Sequence, residues 1–346
     1  MPGAIDDYAS RLRSWLGQST VRERVLIVGS GPLARGVANQ IQESPERYHL
    51  LGVLNGDGGV DAARPTHAIE AHEAIAVTDL IANLHPDRII VESSGSTEEP
   101  EALVRYRING IAVEWAADAH ERLSGKLAVE SMPANRLVVG GSRRYRMFKR
   151  IVSIVVAVLG VVITAPFMLL IALAIKLDSC GPVFFLQDRI GLHRRRFRLI
   201  KFRSMGPRDG DTSEWVRDNV DRITRVGRWL RGYHLDELPQ FFNILAGEMD
   251  LIGPRPTPLS NHDLFEREVP GFALRSRVRP GMTGWAQVRI GYANDLAGEI
   301  EKTRYDLYYL KHQSVAFDLW IIVETFRILL LGHDPSELGT SGPSIR

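Results

Sequence analysis

The sequence predicts an α/β chain whose N-terminal domain is a Rossmann-like parallel sheet. A re-entrant membrane helix and a mostly α-helical α+β domain follow it. Three observations predict this order. Strands and helices alternate from Val21 onward, residues 151–175 carry no charged side chain, and the remainder mixes short strands with helices rich in arginine and aromatics.

A chain of 346 residues is long enough for two hydrophobic cores. The single cysteine, Cys180, excludes an internal disulfide, and one cysteine with scattered histidines makes no zinc ligand set. A reducing, cytoplasm-facing compartment fits, and the first residues lack the charged-then-apolar layout of a signal peptide. Net charge is only +2, yet residues 142–203 hold 13 basic and 2 acidic side chains. That segment calls for an anionic partner: phosphates, nucleic acid or a lipid surface.

Residues 1–20 read as an amphipathic leader with Leu12, Trp15 and Leu16 on one face. The Rossmann-like domain is expected over residues 21–141. "RVLIVGSGPLARGVANQIQE" reads as a buried strand, a glycine turn and a helix, and "YHLLGVLNGDGG" as a second strand and turn. "PDRIIVESS" and "GIAVEWAAD" supply later strands. The turn Gly29-Ser30-Gly31-Pro32-Leu33-Ala34 matches G-x-G-x-x-A, which brings backbone N–H groups and a helix N-terminus to a pyrophosphate. The end of the second strand offers Asn55 and Asp57 in place of a clear acidic residue for a ribose. A nucleotide-fold module kept for regulation or assembly is therefore preferred over a dinucleotide site.

Residues 142–176 hold the basic flank and the membrane helix. "IVSIVVAVLGVVITAPFMLLIALAI" is long enough to span a bilayer. "RRYRMFKR" precedes it and "RIGLHRRRFRLIKFR" follows, so the positive-inside rule holds both ends on the cytoplasmic side. A helix that enters one leaflet, bends near Thr164-Ala165-Pro166 and returns satisfies both constraints, because proline removes a helical hydrogen bond.

Residues 177–346 form the second domain. "PVFFLQDRIGLHRRRFRLIKFRSM" alternates as a strand pair would, with Lys201 and Arg203 on one face. Arg225, Arg228 and Arg231 lie in a helical stretch ahead of the acidic pair Asp236-Glu237. A helix starting near Asp236 would tolerate the two charges at its N-terminus, with Leu238, Phe241, Phe242 and Leu245 as anchors. Pro254-Arg255-Pro256 stiffens the backbone around one guanidinium, and Arg279 precedes Pro280-Gly281. Arginines suit bidentate phosphate recognition. Two carboxylates among arginines beside a membrane point to phosphoryl chemistry on a lipid. The segment "YDLYYLKHQSVAFDLWIIVETFRILLLG" suits helices on a membrane surface or ordinary core helices.

The motifs "KFRSM", "RITRVGRWLR", "LDELPQFFNILAGEMDLIGPRP", "RPGMTGWAQV" and "YDLYYLKHQSVAFDL" together resemble the bacterial sugar transferase family over about residues 147–331. These are monotopic polyprenyl-phosphate phosphoglycosyl transferases of the bacterial inner membrane, with the catalytic domain facing the cytoplasm. The upstream domain resembles the nucleotide-fold, CoA-binding-like module of longer exopolysaccharide-type members.

The resemblance implies transfer of a sugar-1-phosphate from a UDP-sugar to undecaprenyl phosphate, with release of UMP, at the start of exopolysaccharide or related glycan assembly. It implies Asp236 as nucleophile, a covalent phosphoglycosyl-aspartate with ping-pong kinetics, and Mg²⁺ held by Glu237 with Asp236. Lys201, Arg203, Arg231, Arg255, Arg279 and Gln287 are the candidate substrate-binding residues, and Thr164 and Pro166 mark the membrane break. Membrane lipid, a second copy of the chain and exopolysaccharide assembly proteins are the further partners implied; nucleic acid is not. Two departures stand out: Ser153 follows Lys149-Arg150 where the family commonly has an Asp, and "RIGYANDL" replaces Asn-Gly-Arg after "WAQV". Longer members carry transmembrane helices ahead of the nucleotide-fold module. A membrane-attached NAD-dependent enzyme, resting on the Gly29–Ala34 turn, and an inactive assembly scaffold are the competing readings.

Overall fold

The computed structural model describes residues 22–54, 81, 83–92, 107, 108, 110–129, 140–206, 221–291 and 295–331. The expected leader at 1–20 and the turn with Asn55 and Asp57 lie outside them. The chain forms two compact units, Met1–Pro133 and Ala134–Arg346.

In the first unit, strand β1 (Glu23–Val28) is followed by helix α1 (Pro32–Gln42) and strand β2 (Tyr48–Leu54). Strands β3 (Arg88–Val91) and β4 (Ala112–Trp115) and helix α2 (Ala116–Ser124) follow among the described residues. The strands pair in the order β2-β1-β3-β4, all parallel. Val25, Leu26 and Ile27 are fully buried, as expected of a strand covered on both faces. Ala34, Val37, Ala38 and Ile41, spaced three and four apart, put one face of α1 on Val25, Ile27, Val53 and Ile90. Leu26, Leu54, Ile81 and Ile89 form a second cluster.

The second unit is organised along helix α3 (Arg143–Asp178), whose N-terminus is capped by the Ser142 hydroxyl accepting from the Tyr145 N–H at 3.1 Å. Its buried stripe is Tyr145, Lys149, Ser153, Ala157, Met168, Ile171 and Ile175. The break that the resemblance implies at Ala165-Pro166 is not present as an interruption: the helix is continuous through Thr164-Ala165-Pro166. Two causes of bending nevertheless meet there. Pro166 has no N–H for the preceding turn, and the Thr164 hydroxyl donates to the Gly160 carbonyl at 2.6 Å. A straight helix of this length would run about 54 Å, well beyond the ~30 Å hydrocarbon core of a bilayer.

Strands β5 (Phe184–Ile190) and β6 (Arg196–Phe202) form the antiparallel pair that the alternation predicts. Helix α4 (Arg225–Gly232) leads into a 3₁₀ turn at Leu235–Glu237 and then helix α5 (Gln240–Ala246). Strand β7 (Asp250–Ile252) pairs in parallel with β9 (Gly281–Thr283), and β8 (Thr257–Pro258) joins the edge of β5. Helix α6 (Leu259–Glu268) follows β8, and α7 (Trp285–Ile290), α8 (Leu296–His312) and α9 (Val315–Leu331) follow β9.

Both halves of α3 pack on β6. Ala157 joins Phe197, Leu199, Ile244 and Met249, while Met168, Ile171 and Ile175 join Phe202 and Leu230. Gly160 faces Phe241 so closely that a Cβ would sit 2.7 Å from the ring, so a larger residue would push α5 away. Of the C-terminal helices, α8 is a core helix with Tyr305, Leu307, Tyr308, Tyr309 and Leu310 buried. Helix α9 buries Phe317 and Ile321 but exposes Leu319, Val323, Phe326 and Leu330.

Candidate active site

The acidic pair does not open a helix. His234, in the left-handed region at φ 55°, reverses the chain after α4, and Asp236 and Glu237 follow in the 3₁₀ turn. Helix α5 starts only at Gln240, with Pro239 at its N-cap, which corrects the expected start near Asp236. The expected anchors divide. Leu238 and Phe241 pack on the clusters under α3, whereas Phe242 and Leu245 are exposed. The buried positions of α5 are Gln240, Asn243 and Ile244. Asn243 is tied to β6 by accepting from the Ile200 N–H and donating to the Arg198 carbonyl.

The two carboxylates, both buried, have opposite surroundings. Glu237 is clasped by Arg255, Nη2 to Oε1 at 2.5 Å and Nη1 to Oε2 at 3.3 Å. Lys201 is the third donor to this carboxylate and the second to Oε1, at 2.8 Å. Burial alone would raise the acid's pKa, but the Arg255 and Lys201 charges and hydrogen bonds hold it well below the ordinary range. No hydrogen bond or ion pair from a described residue reaches the Asp236 carboxylate. Burial pushes its pKa up, the neighbouring Glu237 charge adds to this, and Lys201, Arg231 and Arg255 oppose it. Burial also lowers the Lys201 ammonium, against the pull of Glu237.

Of the predicted substrate-binding residues, Lys201 and Arg255 thus contact Glu237, and the Arg231 charge acts to lower the Asp236 pKa. Arg203 is not among them. It is a buried cap on the C-terminal end of α3, donating to the carbonyls of Ser179 at 2.7 Å and Cys180 at 3.0 Å. Arg279 donates to the Gly247 carbonyl and lies 3.9 Å from Asp250. The Gln287 amide donates to the Met282 carbonyl. Neither has a described contact with the dyad.

Sequence reasoning missed Arg189 and Arg275. Arg189 donates to the Pro256 carbonyl at 2.7 Å, and Arg275 to the Arg255 carbonyl at 3.1 Å. No local signal separates these arginines from the many others in the segment. At the start of α3, Arg150 donates to Asp250 and to the carbonyls of Ile244 and Met249. Ser153, standing where an Asp was expected, accepts the Leu251 N–H at 3.0 Å.

Among the described residues no three His, Cys, Asp or Glu side chains gather as a metal cage. A Mg²⁺ held by one or two carboxylates and substrate phosphates needs none. Glu237 Oε1 is already committed to two cations, whereas Oε2 has one long contact and Asp236 has no described donor. That donor set fits such an ion through Glu237 Oε2 and Asp236.

In the first unit, the glycine turn holds an anion of its own. The Gly31 and Leu33 N–H groups donate to the Glu92 carboxylate at 2.6 and 3.2 Å. A Cβ at Gly31 would meet that carboxylate at 2.4 Å. The donors that would receive a pyrophosphate are taken.

The site thus pairs a buried acid with cation-rich motifs, in a unit that also carries a helix long and apolar enough to cross a membrane, and sequence comparison supplies the class. Residues 144–332 match the bacterial sugar transferase family, and the chain belongs to that family. It is 41% identical over 232 residues to a UDP-N-acetylgalactosamine-undecaprenyl-phosphate N-acetylgalactosaminephosphotransferase of Aeromonas hydrophila, covering 66% of this chain and 55% of the relative. An undecaprenyl-phosphate glucose phosphotransferase of Komagataeibacter xylinus is 32% identical over 326 residues, covering 88% of this chain and 58% of the relative. A UDP-glucose:undecaprenyl-phosphate glucose-1-phosphate transferase of Caulobacter vibrioides is 38% identical over 231 residues, covering 62% of this chain and 86% of the relative. The chain therefore spans little more than half the length of the first two.

Proposed function

We propose that the chain transfers a sugar-1-phosphate from a UDP-sugar to undecaprenyl phosphate through Asp236. The observation that carries this reading is a buried carboxylate without a described donor, set in the field of Lys201, Arg231 and Arg255. An Asp236 oxygen attacks the sugar-bearing phosphorus, the bridging P–O bond breaks, and UMP leaves with the electron pair. A lipid phosphate oxygen then attacks the same phosphorus, the bond to Asp236 breaks, and the carboxylate is restored. Arg255 and Lys201 orient the donor phosphates and offset their charge. Mg²⁺, when bound through Glu237 and Asp236, supplies further neutralisation of the diphosphate.

Membrane attachment follows from α3. It is long and apolar enough to cross a bilayer, and Val162, Ile163, Phe167, Leu169 and Leu170 are exposed. Yet both halves pack against β6, a strand bearing Arg196, Arg198 and Lys201 that does not belong in hydrocarbon. A bent, re-entrant α3 at the inner membrane, with the second unit on the cytoplasmic side, satisfies both facts. Exposed Trp229 and Tyr233 beside the dyad suit the headgroup level.

The test is UMP release from UDP-glucose and UDP-N-acetylgalactosamine in nanodiscs containing undecaprenyl phosphate and Mg²⁺. Intact-mass analysis of the chain with donor alone should reveal a phosphosugar adduct that Asp236→Asn lacks. Turnover by the Asn variant at the wild-type rate would sink the mechanism.

A further inference from the structure

Beneath the Pro254–Thr257 loop lies a buried four-charge cluster to which the proposed mechanism gives no task. The Arg275 guanidinium is 3.1 Å from Glu299 and 2.8 Å from Asp306, and Lys302 is 3.1 Å from Glu299. Arg275, Glu299 and Asp306 are almost wholly buried. Two positive and two negative groups balance, but removing four charges from water is expensive, and well-packed apolar residues would stabilise a core as well or better. Such a cluster calls for a role other than stability.

The loop above it supplies one. All three carbonyls of Pro254-Arg255-Pro256 are held: the first by the Gly281 N–H at 2.9 Å, the second by Arg275, the third by Arg189. Arg275 Nη1 also donates to the Thr257 hydroxyl at 3.2 Å. One planar guanidinium, fixed from below by two carboxylates, therefore grips two loop residues, Arg255 and Thr257. The prolines stiffen φ on either side, and the grip on the Arg255 carbonyl sets the remaining freedom of that residue. The Arg255 side chain then projects onto Glu237.

We propose that Arg275, anchored by Glu299 and Asp306, is a positioning residue that aims Arg255 at the donor phosphates. It touches no substrate itself. The inference rests on the reading of Arg255 given above. A lysine in its place has a single point of donation and cannot reach the Arg255 carbonyl, Thr257, Glu299 and Asp306 together.

A double-mutant cycle on the full chain tests it, with UMP release from whichever of UDP-glucose or UDP-N-acetylgalactosamine the wild type turns over. Arg275→Met and Arg275→Lys should each lower kcat/KM about tenfold or more in the wild-type background, and less than about threefold when Arg255 is already alanine. Equal losses in both backgrounds would mean a merely structural role and overturn the proposal. Should Arg275→Met fail to fold, Asp306→Asn, which keeps the shape of the anchor, must show the same dependence on Arg255. Full activity in Arg255→Ala alone would remove the donor-site reading and the positioning role with it; additive losses remove only the second.

Discussion

Arg255 grips Glu237 through both carboxylate oxygens, and Lys201 completes the clasp from strand β6. One anion thus balances two cations inside a site that must later admit phosphates. Removing it strands the cations: Glu237→Ala is expected to cost about 3–5 kcal/mol, the range for breaking a buried pair on one side. Glu237→Gln keeps an accepting oxygen and should cost less. Thermal melts should rank wild type above Gln above Ala; an Ala variant melting with the wild type refutes the pairing. Because the folded-state pKa is depressed, this stabilisation is present above the ordinary glutamate range and is lost as pH falls through the folded value.

Asp236 shows the opposite dependence. Burial, reinforced by Glu237, raises its pKa above the ordinary aspartate value of about 3.9. Attack needs the ionised form, so the acid limb of UMP release should lie above the range of a free carboxylate. A raised carboxyl pKa also means that the ionised group weakens the fold. Asp236→Asn should melt above the wild type at neutral pH, and the gap should close as pH falls below the unfolded value. A lower melt for Asn at neutral pH contradicts this.

Much of the molecule was legible in the sequence where a local pattern and its tertiary partner agree. The run Val25-Leu26-Ile27 is a strand covered on both faces, and the alternation around Gly191 is the β5–β6 pair. The acidic pair was legible as chemistry but not as geometry. A left-handed His234 decides that Asp236 sits in a 3₁₀ turn; histidine is enriched in that region, but only a few per cent of non-glycine residues adopt it, so the residue type alone does not announce it. Arg203 and Arg255 were both expected at the substrate, yet one caps a helix and the other meets Glu237. Partners distant along the chain make the difference, and spacing does not encode them.

Glu92 bears on the first unit in the same way. Its carboxylate accepts from Gly31 and Leu33 where a dinucleotide phosphate would. NAD⁺ and NADH at millimolar concentration are therefore expected to leave the melt of the full chain unchanged. Glu92→Ala frees those N–H groups and should lower the melt by the equivalent of about 1–2 kcal/mol, the scale of a lost helix cap. A clear NAD⁺-induced rise in the wild type, or an Ala variant melting with it, would show that the carboxylate does not fill the turn.

The two ends of α3 provide the most direct test of how the chain meets the bilayer. Cys180, the single cysteine, is exposed just past Asp178, so it reports the C-terminal end without any substitution. In a Cys180→Ser background, Arg144→Cys reports the N-terminal end. If α3 bends at Thr164 and Pro166 and returns, a membrane-impermeant maleimide should label both positions in inside-out vesicles and neither in sealed right-side-out vesicles. A helix that crosses would expose one position in each preparation. Pro166→Ala restores the missing N–H, and Thr164→Val removes the hydroxyl that bonds to Gly160. Together they should shift the labelling of the two reporter thiols toward opposite sides, because both proposed causes of bending are then removed. Unchanged same-side labelling in the double variant would mean that packing on Leu199 and Phe202, rather than Thr164 and Pro166, dictates the return.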